Sequence, residues 1–189
     1  MALRTRVIDA QRNDSKNEKG QINGYVVSLY KDWEKVLKAE PKQIYLNICM
    51  PGEKKGPHLH MNRWDYFATI RGSVRFVIKY GPGDYEEVDV HCRENGHGIK
   101  IVEVPPAIPC LMINIGSDEA WVLNMPNPAW HPENQDSHPV SYEDYRNGPT
   151  TRQHLDVSAL APVAEHLARA PSASRQGESG DVPLHGCAA

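Results

Sequence analysis

The chain has 189 residues, 40% of them hydrophobic, and a formal net charge of −3. Such a length supports one core with something appended, and a mildly negative charge excludes the broad basic field that nucleic acid or an anionic membrane selects. No apolar run approaches the roughly 20 residues that span a bilayer, and the N-terminal run MALRTRVIDAQRNDSKNEKG lacks the apolar core of a secretion signal.

Cytoplasmic residence, with no nucleic acid and no membrane as partner, is the expectation. Cys49, Cys92, Cys110 and Cys187 show no CxxC spacing, so free thiols are expected.

In chain order, residues 3–8 read as a strand, and the polar run up to Gly20 as turn or loop. Residues 25–30, YVVSLY, are β-branched and aromatic, which predicts a strand. Residues 32–38 predict one or two helical turns starting at Asp32. Residues 43–50, QIYLNICM, alternate, with Tyr45, Asn47 and Cys49 on one face and Ile44, Leu46 and Ile48 on the other. That pattern suits a barrel wall lining a partly polar pocket.

Residues 73–80 alternate again, with Val74, Phe76 and Ile78 directed inward, and Gly81-Pro82-Gly83-Asp84 predicts a turn. Residues 88–92 and 99–104 read as short strands, with a hairpin signal at 94–98 between them. Pro105, Pro106 and Pro109 predict an extended bend before a strand at 110–115. A turn at 116–118 leads into another strand at 120–125, and the proline-rich, polar run 126–145 reads as irregular structure. Strands at roughly ten-residue intervals predict an all-β sandwich or barrel. The boundary falls near residue 148: a domain over 1–148 and an extension over 149–189, with a short helix near 158–170 and then a Ser/Gly/Pro-rich disordered tail.

Residues 52–72, GEKKGPHLHMNRWDYFATIRG, organise the rest. His58 and His60 are two apart, so on a strand both imidazoles face one space. Five residues separate Gly52 from His58, four separate His60 from Asp65, and six separate Asp65 from Gly72. This predicts strand, bend, strand and turn, with an acid returning beside a histidine pair.

The spacing resembles the first motif of the cupins, with Asp65 where cupins usually carry Glu. Residues 98–114, GIKIVEVPPAIPCLMIN, resemble the second motif, with Pro105 and Asn114 in place and Cys110 where the third histidine stands. The run VPPAIPCLMINIGSDEAWVLNMPNPAWHPENQDSHPVSYED is similar to the C-terminal half of the dTDP-4-dehydrorhamnose 3,5-epimerases. The Gly-x-His-x-His run looks like that of the related sugar 3,4-ketoisomerases.

The resemblance implies an RmlC-like cupin: an all-β double-stranded β-helix, or jelly-roll barrel, with short helices and an irregular C-terminal tail. It implies an isomerase acting on a nucleotide-linked 4-keto-6-deoxyhexose by proton abstraction next to the carbonyl, without a cofactor, as a homodimer. His58 aligns with the base, His60 orients or polarises, and Asp65 tunes the pair. Lys55 stands where the family carries an arginine. Further positions depart from the epimerase pattern: Asp65 replaces a lysine, Asn124 falls at or next to the catalytic tyrosine, and the tyrosine pair before the His-Pro-Glu run is Ala129-Trp130. Tyr45 is the substitute that its strand's alternation offers, and Asn47, Asn124 and Arg71 complete the expected substrate contacts.

Two further readings stay open. His58, His60, Asp65 and Cys110 offer a ligand set for iron, zinc or manganese in a metal-dependent dioxygenase or lyase. A non-catalytic sugar-binding relative is the other.

Overall fold

The structure is a computed structural model, and it describes residues 3–92, 98–143 and 145. The chain divides into two units, Met1–Thr151 and Arg152–Ala189. The extension expected over 149–189, with its helix near 158–170, lies outside the described residues, as does most of the 94–98 hairpin signal.

Eleven strands are described: β1 (Arg6–Asp9), β2 (Gln11–Lys16), β3 (Ile22–Ser28), β4 (Tyr45–Cys49), β5 (Lys54–Leu59), β6 (Asp65–Gly81), β7 (Asp84–Cys92), β8 (Lys100–Val104), β9 (Cys110–Asn114), β10 (Ala120–Asn124) and β11 (His138–Pro139). All pair antiparallel. The first half of β6 lies between β8 and β10, giving a sheet in the order β1-β8-β6-β10-β4. Its second half lies between β7 and β9, giving β7-β6-β9-β5-β11. One 17-residue strand therefore belongs to both layers, and β2 and β3 form a separate two-stranded ribbon.

The two layers close on an apolar core. Val74, Phe76 and Ile78 of β6 are fully buried against Val102 and Val104 of β8, Met112 of β9 and Val122 of β10. The expected alternation on β6 holds for these three. Val77, on the opposite parity, is equally buried because Leu111 and Tyr142 cover the outer face there. On the outer face of the other layer, Leu37 packs with Tyr66, Ala68, Ile101 and Met125.

Several local expectations are corrected. Gly72 does not end a strand; β6 runs through it. Its φ is +81°, and a Cβ there would stand 3.0 Å from the Cα of Ala120 and the carbonyl oxygen of Glu119. A side chain is thus excluded where the strand passes from one layer to the other. Residues 32–38 form turns rather than a helix. Lys35 has φ of +51°, and Trp33, 75% exposed, gives a helix no apolar face to bury. The polar run after Asp9 is a strand, β2: its backbone pairs with β3 while its side chains stay solvated. Asn17 turns that hairpin, its side-chain oxygen accepting from the amides of Lys19 and Gln21.

Candidate active site

Strand register assembles the site. Asn124 of β10 stands opposite Tyr45 of β4 on one side and Phe67 of β6 on the other. These three side chains share a face, and Asp65, two residues before Phe67, shares it too. In the other layer His58 of β5 stands opposite Cys110 of β9. Gly56 makes that approach possible: its φ is +92°, and a Cβ would lie 2.9 Å from the carbonyl oxygen of Cys110. The two faces enclose a cavity of about 410 Å³, lined by Tyr45, Asn47, Lys55, His58, His60, Asp65 and Asn124 among the expected residues.

Burial separates floor from mouth. Arg63, Asp65 and Asn124 are 3%, 3% and 2% exposed, whereas His58 and Lys55 are open to the cavity. Asn124 Nδ2 donates to Tyr45 Oη at 2.7 Å and to Asp65 Oδ1 at 2.9 Å. Because the Tyr45 oxygen accepts that bond, its own proton stays free for another acceptor. Burial raises the Tyr45 phenol pKa, Asp65 raises it further, and Asn124 and Arg63 oppose them, so the phenol is protonated at neutral pH.

The acid meets the second histidine rather than the first. Asp65 Oδ2 is 3.7 Å from His60 Nε2. His60 Nδ1 donates to the main-chain carbonyl of Asp136, which fixes the tautomer and leaves Nε2 facing the carboxylate. Burial raises the Asp65 pKa, against the opposing pull of His60, Asn124 and Arg63. The Asp136 carboxylate accepts from the amides of Met61 and Asn62 at 2.8 and 2.7 Å. Burial would raise its pKa, but those amides, with His138 and His60, outweigh it and hold the group below the usual range. The bend after β5 is thereby tied to the loop before β11.

His58 stacks on His60, ring centroids 6.2 Å apart and planes 17° apart. Burial lowers the His58 pKa, and His60 and Lys55 lower it further. Its imidazole is thus neutral at pH 7 and carries a free lone pair.

Some expected residues leave the site. Arg71 does not line the cavity; its guanidinium lies over the Trp121 ring, 5.4 Å from the centroid. His58, His60, Asp65 and Cys110, the four residues of the metal reading, all line the cavity; among the described residues, no group of three or more His, Cys, Asp or Glu side chains is placed to hold a metal ion. His60 Nδ1 is bonded to a carbonyl and Asp65 Oδ1 to Asn124, and burial with the nearby Asp65 pushes the Cys110 thiol pKa up. Asn114, the last residue of β9, holds the turn that follows, donating to the carbonyls of Cys49 and Asp118 and accepting from the amide of Gly116.

Other residues join. Trp130, Gln135 and Ser137 line the cavity from the loop after β10. Arg63 and Asp136, both unpredicted, act on the Asp65 carboxyl. Arg63 shares parity with Asp65 in the sequence, and that is its only signal; Asp136 sits in a loop without periodicity.

The model of the polysaccharide biosynthesis C-terminal domain family matches residues 32–138, more than half of the chain. The chain belongs to that family. Among curated proteins, this family member is 29% identical over 104 residues to a UDP-2-acetamido-2,6-β-L-arabino-hexul-4-ose reductase of Pseudomonas aeruginosa, covering 54% of this chain. It spans only 27% of that relative's length. Among solved structures, a dTDP sugar isomerase from Desulfovibrio desulfuricans has a TM-score of 0.60 at 16% identity, covering 82% of this chain and 94% of that one. A 3,4-ketoisomerase from Helicobacter canadensis has a TM-score of 0.57 at 16% identity, covering 74% and 92%. The family member shares their fold, the RmlC-like cupin barrel.

Proposed function

We propose that the protein is an epimerase or ketoisomerase of a nucleotide-linked 4-keto-6-deoxyhexose, working by proton transfer beside the carbonyl. The observation that carries this reading is the cavity itself. One wall holds a neutral histidine with a free lone pair, and the facing wall holds a protonated phenol with a free proton. The fold shared with a sugar isomerase and a ketoisomerase supports the substrate class.

In this mechanism His58 takes the proton from the carbon next to the carbonyl. The C–H electron pair becomes a C=C bond, and the carbonyl π pair moves onto oxygen. Tyr45, taking over from the tyrosine that Asn124 replaces, returns a proton at the opposite face of the same carbon. For a ketoisomerase it returns the proton at the former carbonyl carbon, while the proton of the neighbouring hydroxyl passes to the enolate oxygen and the new C=O forms where that hydroxyl stood. Asn124 orients the phenol and stabilises the phenolate by the bond it already donates. His60, held by the Asp136 carbonyl, fixes the ring on which His58 stacks. Lys55 at the mouth faces the diphosphate. No cofactor enters this chemistry.

The active form in this reading is a homodimer, supported by the apolar outer face of β4. Leu46 and Ile48 of β4, with Ile44 just before it, are 41%, 42% and 66% exposed, and β4 pairs with β10 alone. A cytoplasmic location goes with the substrate class; among the described residues no helix is long and apolar enough to cross a membrane.

The test is solvent-deuterium wash-in with nucleotide-linked 4-keto-6-deoxyglucose. Exchange in the wild type and its loss in His58→Ala are expected. Absence of exchange, or exchange undiminished in the variant, removes the reading or the base respectively.

A further inference from the structure

A charged group on the cavity floor acts on Asp65 and Tyr45 through space but makes no hydrogen bond or ion pair with any described residue. Arg63 lines the cavity and is 3% exposed. Its Nε is buried without a partner. Beside it on the floor, Asn124 Oδ1 is also buried and unpartnered, although Asn124 Nδ2 makes two bonds. Two other guanidinium groups are paired: Arg6 is bidentate on Glu103 and Arg75 on Asp89. A buried cation without a partner is costly to fold around, and a donor and an acceptor left open together on one floor describe a ligand with an anionic oxygen beside a hydroxyl.

The geometry points to Arg63 as an oxyanion receptor: its guanidinium binds the carbonyl oxygen of the bound keto-sugar as that oxygen takes up negative charge, while Asn124 Oδ1 accepts from an adjacent sugar hydroxyl. This rests on the keto-sugar reading above. As His58 removes the proton, the carbonyl π pair settles on oxygen, and Arg63 donates N–H bonds to it without giving up a proton. The negative charge then returns to carbon when Tyr45 protonates it. A fixed donor aimed at charge that exists only during reaction accelerates the chemical step rather than binding.

The test separates kcat from KM. Arg63→Met is expected to lower kcat for exchange by about 10²–10³-fold with KM within about threefold, and added methylguanidinium is expected to restore part of the loss in Arg63→Ala. Unchanged kcat overturns the assignment, as does a raised KM at unchanged kcat, which marks a grip on a fixed anionic substituent. Should Arg63→Met not fold, Arg63→Gln carries the same test, with at least a tenfold fall in kcat expected and an unchanged kcat overturning it. Calorimetry with oxalate, a planar anion resembling the enolate, stands apart from turnover: tighter binding by wild type than by Arg63→Met, by tenfold or more, is expected. If the wild type exchanges nothing, the keto-sugar reading falls alone, and the oxalate comparison decides Arg63. Equal affinities then overturn the receptor.

Discussion

The protonation state of each site side chain follows from what touches it. His58 owes its lowered pKa to burial first, then to His60 and Lys55. The acid limb of the pH–rate profile should therefore lie below the ordinary histidine value, because the base stays unprotonated to lower pH. Lys55→Met removes one repulsive charge, so that limb should move to higher pH, read from exchange rates between pH 4.5 and 8. For stability the sign is the same: His58 binds its proton more readily in the unfolded chain, so its contribution is present above the unfolded pKa and lost as pH falls through the folded value. Tyr45 offers a sharper division of labour. Tyr45→Phe should keep wash-in exchange at the carbon that His58 deprotonates, while product formation falls by about 10²–10⁴-fold; the two rates are measured in one experiment by mass spectrometry and NMR.

The strand scale decides where those residues stand. β6 carries Asp65 and Phe67 into the cavity with its first half and Phe76 into the core with its second, so its kink at Gly72 governs both. Gly72→Ala forces a Cβ into backbone at 3.0 Å with a positive φ and should destabilise the fold by about 1–3 kcal/mol; urea unfolding checks this. β1 is held by charge as well as by pairing. Glu103 on β8 is 1% exposed and receives Arg6 Nε and Nη2 at 2.5 and 2.7 Å, with the Lys38 amide at 3.3 Å. Arg6→Met leaves that carboxylate buried without its cation, at a cost of about 3–5 kcal/mol, whereas Arg6→Met with Glu103→Leu should recover most of the loss in the same unfolding assay.

For the molecule as a whole, the outer face of β4 is the feature least compatible with a lone subunit. Three branched aliphatic side chains in a row, with Met50 53% exposed beside them, make an apolar stripe on an edge strand, a surface that pairs or aggregates. Leu46→Lys with Ile48→Glu should halve the mass seen by sedimentation without disturbing the cavity, whose residues on β4 face the other way. A wild type that sediments as a monomer at tens of micromolar would remove the homodimer.

The sequence alone determined the class of fold and half of the site. Alternation along 43–50 and 73–80 marked two barrel walls, and the His58, His60, Asp65 spacing marked the cavity, because a period of two is a local property of any strand. What only the tertiary structure decided depends on partners far apart in the chain. It gave the Asp65 carboxylate to His60 and Asn124, set Arg71 outside on Trp121, brought Asp136 under His60 and left Arg63 buried without an ion-pair partner. Pairing register and loop closure fix those distances, and no local pattern of residues encodes them.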